Sequence, residues 1–202
     1  MNRFFSCGTR SPFKLSAFSL LLGASFLISA ERVALADPTG GTIIAWGTNT
    51  NGQTVPPSSN TGFTAIAAAG GRGLGLKGDG SIVGWGLNQY GQSDSPSPNT
   101  GFTAVAASPW HSLALKTDGS IVGWGANYAG QIDVPPPNSG FIAIAAGAEH
   151  SLGVKSDGSI VEWGSDTLGQ TNGFPSPNSG FIAVAAGQGH SLGLKSDGSI
   201  VG

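Results

Sequence analysis

The chain has 202 residues, enough for one or two domains, and only 10% of them are charged while 39% are hydrophobic, which excludes the highly charged composition of a disordered tail. Nine Lys and Arg against 11 Asp and Glu give a formal charge of −2, which disfavours nucleic-acid binding, since neutralising phosphate backbones requires clustered cations. One cysteine, Cys7, cannot make an internal disulfide.

Residues 1–36 read as a secretory signal peptide. Arg3, Arg10 and Lys14 form a positive segment, Leu15 to Ala30 an apolar run, and Ala34-Leu35-Ala36 a small-x-small cleavage site before Asp37. Ser16, Ser19, Ser25 and Ser29 interrupt the run, which is shorter than a transmembrane helix needs, so no membrane span is expected after cleavage. A secreted, periplasmic or cell-surface location follows. Cleavage removes Cys7 and leaves residues 37–202 with five basic and ten acidic residues, a formal charge of −5.

The next feature along the chain is Trp46-Gly47, which returns as Trp85-Gly86, Trp124-Gly125 and Trp163-Gly164, always 39 residues on. Periods near this length mark solenoids and propellers, in which a unit buries its apolar face only by stacking on copies of itself. The glycines after residue 36 keep step with this period, which makes them turn and packing residues rather than a flexible linker.

Gly101 to Gly140 shows the unit. Phe102–Ala107 and His111–Lys116 are short apolar runs bounded by turn formers and read as strands. Asp118-Gly119 joins the second to Ser120–Gly125, and Asp-Gly between two such runs predicts a type I′ hairpin, repeated at Asp79-Gly80, Asp157-Gly158 and Asp197-Gly198. Three antiparallel strands leave the chain pointing the wrong way to start an identical unit. Gln131–Val134, ended by Pro135-Pro136-Pro137, is therefore expected as a fourth strand.

This strand order sends the turns around Ser108-Pro109-Trp110 and Asn127–Gly130 to one face and the Asp-Gly and Pro-Asn-Ser-Gly turns to the other. The second set hardly varies. The first does, reading Thr50-Asn51, Gln89-Tyr90, Tyr128-Ala129 and Thr167-Leu168 in one turn and Gly70-Gly71, Pro109-Trp110, Ala148-Glu149 and Gln188-Gly189 in the other. Variation gathered on one face is how repeat scaffolds present a binding surface, although solvated loop tips also drift. Tyr90, Trp110, Tyr128, Glu149 and Gln188 are the candidate partner-binding residues.

The run Val184–Leu194 with Lys195–Val201, and the run Trp124–Gln131, resemble the repeat of the regulator of chromosome condensation family. A WD-repeat propeller shares the period, but Trp-Gly stands here where that repeat has Trp-Asp. The short repeat, the export signal and the Gly-Gln-x-x-x-Pro spacer look most like the secreted members of the beta-lactamase inhibitory protein II type. The resemblance implies an all-β propeller of RCC1-like blades over residues 37–202, about four repeats of a seven-bladed ring, that binds a protein partner without catalysis. Export and an acidic chain run against a nuclear, chromatin-bound role. The repeats stop at Gly202, so the expectation is a piece of a longer protein, with self-association as the other route to closure.

Residues that could carry other chemistry have structural roles in the repeat. His111, His150 and His190 share one repeat position, so they fall in different blades and are expected to be structural, bonded to neighbouring backbone groups, rather than metal ligands. One Asp per hairpin is too few for calcium. Glu149 and Glu162 lack an evident facing carboxylate for glycosidase chemistry. Trp46, Trp85, Trp124 and Trp163 read as inter-blade packing rather than a sugar-stacking array. No cofactor is implied, and the protein is expected not to be an enzyme. A cell-surface structural module of a longer protein and a carbohydrate-active propeller enzyme remain as alternatives.

Overall fold

The computed structural model describes residues 40–173 and 176–202, so the leader and Cys7 lie outside the described residues. Each repeat supplies three strands: β1 Phe63–Ala69, β2 Arg72–Lys77 and β3 Ile82–Gly86, then β4 Phe102–Ala107, β5 His111–Lys116 and β6 Ile121–Gly125, then β7 Phe141–Ala146, β8 His150–Lys155 and β9 Ile160–Gly164, then β10 Phe181–Ala186, β11 Ser191–Lys195 and β12 Ile200–Val201. They form four separate three-stranded antiparallel sheets in chain order. These are four propeller blades, and the described residues contain no helix.

The hairpins differ in detail from the type I′ expectation. Gly119 N–H donates to Lys116 O at 3.0 Å and Lys116 N–H to Ser120 O at 2.8 Å, with φ of 77° at Gly119 and no positive φ at any non-glycine among the described residues. That is a type I turn followed by a left-handed glycine, a three-residue loop with a bulge. Asp118 stays in ordinary backbone space because its Oδ1 accepts both the N–H (2.9 Å) and the hydroxyl (2.6 Å) of Ser120.

The expected fourth strand is absent. The chain does return beside the third strand, but as turns, with Asp133 N–H bonded to Gly130 O and Val134 N–H to Ile132 O. The backbone carbonyl of Gln131 is used elsewhere, accepting the Ser151 hydroxyl at 2.8 Å and the Trp163 indole N–H at 2.9 Å from the following blade.

The core lies between blades rather than within them. Leu74, Leu76 and Ile82 of the first blade pack on Phe102, Ala107 and Ala114 of the second. Leu113, Leu115 and Ile121 meet Phe141, Ile144 and Trp163 at the next junction, and Leu152, Val154 and Ile160 meet Phe181 and Val184 at the last. At roughly 25 cal/mol per Å² of apolar surface, this stacking is the main stabilising term, as a repeat-stacked fold requires.

Candidate interaction surface

Two turns from each repeat reach one face. Gln92 and Gln131, both fully buried, hold the backbone of these turns from below: Gln92 Oε1 accepts Tyr90 N–H at 2.8 Å, and Gln131 Oε1 accepts Ala129 N–H at 2.8 Å. Gln92 Nε2 also donates to Pro109 O at 3.2 Å, tying the two turns together. A constant buried glutamine therefore fixes the turn while the residue two places earlier is free to vary.

On this frame three candidates from two repeats come together. Tyr90 packs edge-on against Trp110, with ring centroids 5.7 Å apart at 70°, and against Tyr128, at 5.6 Å and 88°. All three are exposed, by 40%, 37% and 74% for Tyr90, Trp110 and Tyr128. The neighbouring Tyr90 hydroxyl holds the Tyr128 phenol above its ordinary pKa. Trp110 also borders a cleft of about 330 Å³, whose wall is made by Ala69, Ala107, Ala146, Ala186 and Gln188 where the first strands of the four blades end. Glu149 is exposed in the β7–β8 turn of the same face.

The His111 and His150 rings reach hydroxyls rather than the expected backbone groups. His111 Nε2 lies 2.9 Å from Ser151 Oγ, and His150 Nε2 lies 3.1 Å from Ser191 Oγ, each one blade further on. His190 is exposed. In the first repeat Arg72 fills this position, and its guanidinium donates to Ser108 O at 2.9 and 2.6 Å, His111 O at 2.6 Å and Gln92 O at 2.9 Å. Burial lowers its pKa to about 10. With the Ser112 hydroxyl also on Gln92 O, at 2.7 Å, no lone pair is left for Trp124. The Trp124 indole N–H is accordingly unpaired, whereas Trp85 and Trp163 each bond a carbonyl 32 residues back at 2.9 Å.

Inter-blade packing holds for Trp163 and Trp124 but not for Trp46, which precedes the first sheet and is 65% exposed. Glu162 is half-buried in β9, where burial raises its carboxyl pKa, while Glu149 stands in a turn. Among the described residues no group of three His, Cys, Asp or Glu is placed to hold a metal, and no helix is long and apolar enough to cross a membrane.

Stacked three-stranded blades with turns at both faces, variable on one and constant on the other, define a propeller-type repeat protein. Its repeats are RCC1-like: residues 102–131 and 141–170 match the Regulator of chromosome condensation (RCC1) repeat. Among solved structures, the chain is similar to yeast RCC1 (Prp20) in complex with Kap60, at 24% identity and a TM-score of 0.61 over 72% of this chain and 44% of that one. It is also similar to the ectodomain of the Physcomitrella patens receptor kinase CR4, at 25% identity and a TM-score of 0.62 over 75% and 43% of the two chains. Prp20p from Saccharomyces cerevisiae matches at 21% identity and a TM-score of 0.61, over 77% and 52%. The chain thus spans about half the length of these structures, and identities this low speak to fold. No curated protein sequence matches it significantly.

Proposed function

We propose that this chain is an exported, non-catalytic repeat scaffold that binds a protein partner through the face carrying Tyr90, Trp110 and Tyr128, with Glu149 and Gln188 extending the surface. The observation that carries the reading is the exposed aromatic trio, gathered from three turns of adjacent repeats and held from beneath by buried glutamines. Large aromatics that pack on one another lose little conformational entropy on binding and dominate the energetics of protein interfaces. Protein recognition is also a use of this fold elsewhere: yeast RCC1 was solved with Kap60 bound, and Prp20p was described with its binding to Gsp1p and histones. Export rests on the leader at residues 1–36.

Site-specific cross-linking tests it. A photo-reactive phenylalanine replaces Tyr128 in one variant and Thr117, exposed on the opposite face, in another, and both are irradiated in the secreting cell. A protein adduct is expected from position 128 alone, falling about tenfold when Tyr90 and Trp110 are both changed to Ala. Adducts from position 117 alone, from both positions equally, or from neither overturn the assignment.

A further inference from the structure

The two faces of the array carry different charge. On the face of the Asp-Gly turns, each Asp has a Lys two residues before it: Lys77 with Asp79, Lys116 with Asp118, Lys155 with Asp157 and Lys195 with Asp197. These lysines are held in place over phenylalanine rings, at 5.1 Å from Phe63, 5.6 Å from Phe102, 3.7 Å from Phe141 and 4.9 Å from Phe181. They use every Lys of the described residues, and that face is balanced.

The variable face has no such balance. Asp94, Asp133, Glu149 and Asp166 are exposed on or beside its turns. The remaining cation of the described residues, Arg72, is 2% exposed, with its guanidinium taken up by three backbone carbonyls. Four carboxylates therefore share a face with the aromatic trio and the alanine-lined cleft, with no exposed Lys or Arg of the described residues among them. Uncompensated negative charge beside π-faces favours a cation, because the rings attract it through their quadrupole and the carboxylates raise its local concentration.

We infer that the partner segment received on this face is a cationic protein loop, with an Arg or Lys side chain lying on the Tyr90, Trp110 and Tyr128 rings and an adjoining small aliphatic side chain entering the cleft beside Trp110. This rests on the protein-binding reading above and specifies its partner. Arginine suits the site better than lysine, since its flat guanidinium stacks on aromatic faces and forks to carboxylates. An acidic or neutral partner would leave four carboxylates facing like charge or buried without partners.

The test titrates the full chain into three fluorescent peptides of the same length, built from repeated Gly-Arg-Leu, Gly-Gln-Leu or Gly-Glu-Leu, and reads anisotropy. The arginine peptide should bind at least about tenfold tighter than the other two, and lose about tenfold between about 0.1 and about 0.5 M salt. Changing Asp94 and Asp133 to Asn and Glu149 to Gln should weaken it by a similar factor; Asn retains an acceptor for the Asn88 and Asn127 amides that donate to these aspartates at 2.7 and 3.0 Å. Equal binding of the arginine and glutamine peptides, or an affinity indifferent to salt in the unaltered chain, overturns the inference. If position 128 then still cross-links a protein, only the cationic partner is wrong; if it does not, the protein-binding face is wrong as well.

Discussion

His111 is a buried imidazole whose protonation state can be read from its neighbours. Ser108 Oγ accepts the N–H groups of Trp110 at 3.2 Å and His111 at 3.0 Å, so its own proton points at His111 Nδ1, 2.9 Å away. Ser151 Oγ donates to Gln131 O, so it accepts from His111 Nε2. Both ends require the neutral ring with its proton on Nε2. Burial, then the nearby Arg72 and His150, lowers its pKa from 6.5 to about 3. Between those values the unfolded chain binds the proton and the folded one does not, so stability is complete above pH 6.5 and declines as pH falls, by about 1.4 kcal/mol per unit. His150, also lowered by burial, adds to the decline, while Glu162, raised by burial, opposes it. Subtracting a His111→Gln variant isolates the ring: the urea stability gap between the two proteins should narrow by about 1.3 kcal/mol from about pH 7 to about pH 5.5. A gap constant with pH would show that His111 is not held neutral. The sequence pointed to a backbone partner for this ring, and the serine was not legible because it sits 40 residues away in the next blade.

At the level of the element, the strands of the blade were legible almost to the residue, with Phe102–Ala107 and His111–Lys116 as expected. Their alternation and turn residues are local signals. The return segment was not legible, because Gln131 and its neighbours give their hydrogen bonds to the turn and to the following blade rather than to a ladder. Nor was the function of the asparagine that recurs in the turn before the first strand of each blade. Asn138 accepts Ile121 N–H and donates to Ile121 O, both at 2.8 Å, and so takes the place of a partner strand at the start of β6. Asn60, Asn99 and Asn178 make the same pair with Ile43, Ile82 and Ile160. Ile121 is 2% exposed but Asn138 stands at the surface, so Asn138→Ala removes both backbone hydrogen bonds at a site that water reaches only in part. The expected loss is about 2 kcal/mol by urea denaturation, with Asn138→Asp intermediate because it keeps only the acceptor. A loss below about 0.5 kcal/mol for the alanine variant would mean that water replaces the amide freely.

For the whole molecule, the 39-residue period implied that burial happens between repeats, and the three inter-blade clusters have that form. What the period did not disclose is a backbone stitch at each junction. Phe102, Phe141 and Phe181 N–H donate to the turn glycines Gly80, Gly119 and Gly158 of the preceding blade at 3.1, 2.9 and 2.9 Å. A β-carbon on Gly119 would stand 2.9 Å from Gly140 N, and its φ of 77° is one that only glycine adopts without strain. Gly119→Ala therefore combines a left-handed backbone cost of about 1 to 2 kcal/mol with a weakened bond from Phe141 worth about 1. Because each blade touches only its neighbours, this loss should be confined to the junction between the second and third blades. Hydrogen exchange of the full chain should show faster exchange at Phe141 and through β6 and β7, with β1 and β2 unchanged. Equal acceleration in all four sheets would instead mean that the blades open as a single cooperative unit, and that the junctions are too strong for one of them to fail alone.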